Sequence, residues 1–460
     1  MKKIKRRKRA YLQRLHRRKF CKNVKKRKRQ VPVFCKTVGV PKRYRKRNSQ
    51  TYTKKTTKEL LDRYASENLK CLLCSEDSEL NFQQIVKDKY KVEIGVIFIP
   101  TEFSIIDNPE VSYFVIKQLL HTLFCGKART LSLDYKKCEH TDLSTQVLLD
   151  VILKESIEFV KSVRKHHPYR HYIKSIKGIN MKNKALQRMM FSVGSPVNIV
   201  DRTIEFSDVE RCKLRVYHHK KEESMQAKEV HTTELMEYIS KCANRIGVSL
   251  NAKEQENLSI SIGEILINAE EHSTTKCRCS VGYFTSSTTD DTNRELNLVI
   301  MNFGDSIYKT FKKLDSNKIS IVQSMEALSK KYSISKYFSS NLDEESLWTL
   351  YSLQEGVSSV PKEKYPLRGN GSIQFIESFF KLKELSQATD DSYLRIVSGR
   401  TQIVIDGQYK IITKKNSENE TFKIITFNKS GSLEDRPDNK KVFKNKNYLP
   451  GTIIQMRLNL

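Results

Sequence analysis

Acidic residues are missing from the start of this 460-residue chain: positions 1–58 hold 26 Lys and Arg but no Asp or Glu, and the first acid is Glu59. The rest carries 58 Lys and Arg against 52 acids, so it contributes only +6 to the formal net charge of +32. A segment this one-sided cannot collapse alone, because its charges repel and few apolar groups offset them. Long apolar runs are missing too. The longest, around Ile94–Pro100, is strand-sized, well short of the roughly 20 residues that span a bilayer. No apolar stretch follows the N-terminal charges, so no secretory signal is expected and a cytoplasmic location is the default. The ten cysteines are an ordinary number for a reduced cytosolic protein, and Cys125 and Cys242 fall inside amphipathic patterns that suit buried thiols better than a disulfide framework. Glycine is sparse, with only 16 residues, so two glycines set closely together carry information.

What is present divides the chain into a basic arm and a nearly neutral globular part long enough for two or three domains. In the arm, residues 1–58, Lys and Arg interleave with Tyr11, Phe20, Phe34, Tyr44 and Tyr52. Against a polyanion these charges release condensed counterions, and the aromatic rings can stack on unpaired bases. Nucleic acid is the expected partner, RNA favoured. A solvated tail or an anchor to anionic lipid is the competing reading.

Over residues 59–175 the order strand, helix, strand, helix implies an α/β layer fold. Val92–Pro100 and Ala128–Tyr135 read as strands. A helix with Val111, Val115, Leu119 and Leu123 on one face follows Pro109, and Asp142 opens a second helix through Val147–Leu153. Cys71 and Cys74 form a single C-x-x-C with no second pair at zinc spacing, and no zinc site is expected there. The order resembles STAS-like domains, in which a strand of the type LSLD leads to an Asp-Ser cap. In the STAS partners of anti-sigma serine kinases that Ser is phosphorylated, and Ser144 stands nearest the equivalent place, one residue displaced. Residues 176–235 read as a β-rich connector, with patches at Val197–Phe206 and Lys213–His218.

Residues 236–460 hold the chemistry. Glu256–His272 has a helical period with Leu258, Ile262, Ile265, Leu266 and Ala269 on one face, while Glu264, Asn268 and His272 recur at four-residue spacing opposite. The strand Leu296–Phe303 runs straight into Asn302-Phe303-Gly304. Gly369 and Gly371 then open an apolar helix, where backbone N–H groups can approach an anion. Ile319–Tyr337 and Leu342–Leu353 read as helices, and Tyr393–Ile412 as a hairpin turning at Asp406-Gly407.

In order and spacing these motifs resemble the Bergerat ATP-binding fold of the GHKL superfamily, shared by histidine kinases, anti-sigma serine kinases, type II topoisomerases and mismatch-repair ATPases. The resemblance covers about half the chain. It implies that Asn268 binds Mg²⁺, that Glu264 acts as general base, and that His272 completes the same box. Asn302-x-Gly304 stands where the family has Asp-x-Gly, whose carboxylate accepts from the adenine amino group. Arg368, Gly369 and Gly371 match the phosphate loop, residues 305–367 the ATP lid, and Leu449–Ile454, with Thr452, the closing strand near the adenine. The fold class expected is therefore α/β: a disordered basic arm, a STAS-like α/β domain, then a Bergerat two-layer α/β sandwich with a mixed sheet and helices on one face. The function expected is a Mg²⁺- and ATP-binding switch with slow hydrolysis, held on nucleic acid by its arm. A protein serine kinase of the anti-sigma type and a non-hydrolysing ATP-bound scaffold are the alternatives. A protein partner is expected and a homodimer is plausible; a membrane is not.

Overall fold

The computed structural model describes residues 59–88, 90, 95–125, 128, 130–166, 173, 175–197, 206–218, 224–271, 273–286, 294–314, 320–359, 369–415 and 419–460. The basic arm lies outside these residues, as do His272, Arg368 and much of the Val197–Phe206 patch. Among the described residues no helix is long and apolar enough to cross a membrane. The protein is of mixed α and β composition.

The N-terminal unit is built on parallel pairs. Strands β1 (Val96–Phe98), β3 (Thr130–Asp134) and β5 (Ser175–Ile179) lie in the order β1-β3-β5, and β2 (Glu102–Phe103) pairs with β4 (His140–Thr141). Parallel neighbours need long crossovers, which the helices Pro109–Cys125 and Leu143–His166 provide. Asp142 starts the second helix as predicted: its carboxylate accepts from the Thr145 N–H at 2.8 Å and the Thr145 hydroxyl at 2.6 Å. The first helix is rotated from its predicted face. Val115, Ile116, Leu119 and Leu120 are buried, while Val111 is 43% exposed. This stretch is apolar on most positions, so periodicity alone leaves its orientation undetermined.

The stretch predicted as a β-rich connector is different. It contains the helix Lys184–Val193, capped by Asn183 and ended by Gly194 in the left-handed region at φ 64°. It also contains β6 (Val209–His218) and most of the helix Ser224–Arg245, which the expected boundary at 236 would cut. Strand β6 is the edge of the main sheet.

That sheet comprises β6, β7 (Cys277–Thr285), β8 (Glu295–Phe303), β12 (Val442–Asn459) and β9 (Tyr393–Ile405), in the order β6-β7-β8-β12-β9. Every pair is antiparallel, so the mixed sheet expected from the sequence is not what forms. The predicted hairpin at Asp406-Gly407 is also absent: β9 pairs with β12, while β10 (Ile412–Lys415) pairs with β11 (Thr421–Ile424). Chain-distant β12 offers β9 a longer partner than its own continuation does.

Both faces of the sheet are covered. On one, Leu298, Ile300, Leu394 and Ile396 join the apolar faces of the helices Ser224–Arg245, Ala252–Glu271 and Gly371–Leu385. On the other, Cys279, Val281, Val299, Met301 and Ile453 share a cluster with Leu69, Leu148 and Ile152 of the N-terminal unit. This explains why all nine positions of β7 and eight of the nine in β8 are buried, Asn297 and Asn302 included. Polar contacts fix the docking: the Ser144 hydroxyl donates to Gln455 at 2.8 Å, and Arg395 meets both carboxylate oxygens of Asp107 at 2.8 and 2.9 Å.

Candidate functional site

Two helices form one side of a cleft over the sheet. On Ala252–Glu271, Leu258, Ile262, Ile265 and Leu266 point into the core, which turns Glu264 and Asn268 the other way. The helix Gly371–Leu385 begins directly against Glu264, and a Cβ on Gly371 would stand 2.6 Å from the Glu264 Cβ. Only glycine permits that approach. Gly369, at φ +102°, is held similarly, since its Cβ would meet the Gly356 carbonyl carbon at 2.8 Å. The Gly356 N–H bonds both the Gly369 carbonyl and Asn370 Oδ1, each at 3.1 Å. Asn370 is thus turned away from capping the helix it precedes, and it makes no side-chain cap bond. Gly371 and Ser372, at the first turn, line the cleft. A helix N-terminus with unspent N–H groups favours an anion there.

The opposite wall is the end of β8 and its partner β12. Thr452 lies directly across from Asn302, donating its N–H to Asn302 Oδ1 at 2.8 Å, while Asn302 Nδ2 donates to the Ala269 carbonyl at 2.7 Å. One buried amide therefore ties the helix carrying Asn268 to both strands. Gly451, at φ +133°, lets β12 come this close, because a Cβ would stand 2.1 Å from the Asn302 carbonyl oxygen. The floor is apolar (Ile300, Leu394, Ile396, Ile454). Ile307, Phe311, Leu353 and Val357 from the predicted lid stretch close the far side. The cavity volume is about 100 Å³, below the roughly 300–1,000 Å³ of small-ligand clefts, so its walls would have to part to take a drug-sized ligand.

Asn268, Asn302, Gly369, Gly371 and Thr452 thus come together from four separate stretches of chain. Glu264 stands beside Gly371 but not in the cleft lining, and Gly304 lies behind the wall, packed on Thr274. His272 and Arg368 fall outside the described residues. The helical period of the lid stretch did not reveal which of its residues form the far wall. Its helices Ser320–Ile334 and Glu344–Tyr351 stand where helices were predicted, and Met325, Tyr332 and Trp348 are fully buried, so the stretch is packed into the core.

A buried ion pair anchors the end of the helix Ala252–Glu271. Glu270 pairs with the wholly buried Arg278, whose guanidinium lies 4.1 Å from the Tyr217 ring centroid. Arg278 Nε also meets His231 Nδ1 at 3.4 Å. Burial, reinforced by Arg278, pushes the His231 imidazole down to about 4, so it is neutral at physiological pH. Among the described residues no group of three or more His, Cys, Asp or Glu side chains stands ready to hold a metal ion. At Cys71 burial raises the thiol to about 11, which makes it unreactive. Comparison with known proteins finds no matching family model, no similar curated protein and no similar solved structure.

Proposed function

We propose that this cleft binds Mg²⁺-ATP in the manner of the Bergerat ATPases, and that the chain is a nucleotide-driven switch tethered to nucleic acid by its basic arm. The observation that carries the reading is the convergence of Asn268, Asn302, Gly369, Gly371 and Thr452 on one cleft with an apolar floor and a helix N-terminus at one end. The base lies on the floor against Asn302 and Thr452, and the phosphates reach the first turn of Gly371–Leu385. Asn268 would lend Mg²⁺ one amide oxygen, where the ion usually takes one or two carboxylates together with substrate phosphates, so the phosphates would carry most of its binding here. When bound, the ion neutralises phosphate charge. Glu264, one turn before Asn268, stands against Gly371 outside the cleft lining, and it would serve as general base for water by turning its carboxylate toward the phosphates. Slow hydrolysis is the favoured outcome, and the account requires no metal cluster.

The serine-kinase alternative, if directed at the chain's own N-terminal unit, meets a steric obstacle. Ser144 and Thr145 are wholly buried, with their hydroxyls bonded to Gln455 and Asp142. A partner protein would have to be the substrate. Turnover of ATP by the full chain and by Glu264→Ala, with and without single-stranded RNA, tests the proposal. Turnover that needs Glu264 and responds to RNA supports it. ATP binding without turnover moves the assignment to a nucleotide-held scaffold, and no binding sinks the proposal.

A further inference from the structure

The amide of Asn302 has its orientation set by two backbone partners of opposite sense. The Thr452 N–H requires an oxygen at one end, and the Ala269 carbonyl requires an N–H at the other. A flipped amide would oppose like to like at both. A carboxylate there would set one oxygen against the Ala269 carbonyl oxygen, at a position only 3% exposed. The wall is therefore shaped around an amide. Each end of that amide keeps one further capacity: Oδ1 a second acceptor position and Nδ2 a second hydrogen. Among the described residues the Asn302 side chain makes no other hydrogen bond, and it lines the cleft.

Resting on the nucleotide reading of the cleft, we propose that Asn302 reads the base as donor and acceptor together, and that the site takes guanosine as well as adenosine triphosphate. Adenine presents an exocyclic amino donor, which Oδ1 accepts. Guanine presents a carbonyl at the same ring position, to which Nδ2 donates. A carboxylate, having only acceptors, would repel that carbonyl. The floor of Ile300, Leu394, Ile396 and Ile454 adds contact with either ring and no polar choice between them. The Thr452 hydroxyl is bonded to Ser398 at 2.8 Å and does not impose one.

The test is calorimetric titration of the full chain, with Mg²⁺, by adenosine and guanosine forms of a non-hydrolysable triphosphate analogue. The proposal expects dissociation constants within about tenfold of each other, since each base makes one comparable bond to the amide. A wider gap in either direction overturns it while leaving the nucleotide cleft standing. Failure of both to bind overturns the nucleotide reading itself. In Asn302→Asp the guanosine form should lose more affinity than the adenosine form. Equal loss would show that Asn302 only braces the wall and would also overturn the proposal. If that variant does not fold, the two wild-type titrations decide alone.

Discussion

Asp150 shows how far burial can move a single group. It is wholly buried on the Leu143–His166 helix, and Oδ1 accepts from Ser195 at 2.7 Å and Gln146 at 2.8 Å, while Oδ2 has no partner. Burial outweighs these bonds and the pull of Lys154, raising the carboxyl to about 7. A pKa raised above its unfolded value contributes stability at low pH that is lost as pH rises through about 7. Relative to wild type, Asp150→Asn should therefore gain stability between about pH 5 and 8, on the order of 2 kcal/mol. Urea midpoints at the two pH values measure this, and parallel pH profiles for the two proteins would contradict it. His231 works in the opposite sense. Its pKa is depressed, so its contribution is present above the usual imidazole range and is lost as pH falls toward about 4.

At the scale of elements, the approach of the helix Gly371–Leu385 to Ala252–Glu271 is the decisive contact. Gly371→Ala drives a methyl into Glu264 and should cost about 1–3 kcal/mol of stability by overpacking. Because the same turn faces the cleft, nucleotide affinity should fall by about tenfold or more, as binding titration would reveal. The buried pair at the other end of Ala252–Glu271 predicts a larger effect. Glu270→Ala leaves Arg278 charged in the core and should cost about 3–5 kcal/mol in denaturant unfolding. The placement of Asn268, Gly369 and Gly371 was legible in the sequence, because the helical period of Glu256–His272 and the close pair of glycines mark a helix face and a helix start. The Lys184–Val193 helix was not read, although Asn183 and Gly194 mark its ends, because its apolar residues are compatible with a strand. The fate of β9 was not legible either. Its partner β12 lies about 40 residues further along, and local periodicity holds no record of that pairing.

For the whole molecule, the N-terminal unit fills the sheet face opposite the cleft, so a dimer formed through that face would first have to displace it. Incubation with ATP should leave Ser144 and Thr145 free of phosphate in the folded protein, which phosphosite mapping can check. On the proposed reading the arm acts by charge. Deleting residues 1–58 removes 26 of the positive charges, so RNA affinity should fall and its salt dependence should flatten, since fewer counterions are released. That the sheet is covered on both sides could have been suspected from the run LNLVIMNF, but not what covers it, since docking depends on pairs such as Asp107 and Arg395, far apart in sequence. The central claim, a Mg²⁺-nucleotide cleft, is tested most directly by titrating ATP with Mg²⁺ into the full chain and into Asn268→Ala. The account predicts saturable binding by the wild type, weakened at least about tenfold by the substitution. Absence of wild-type binding, or equal binding by both proteins, would contradict it.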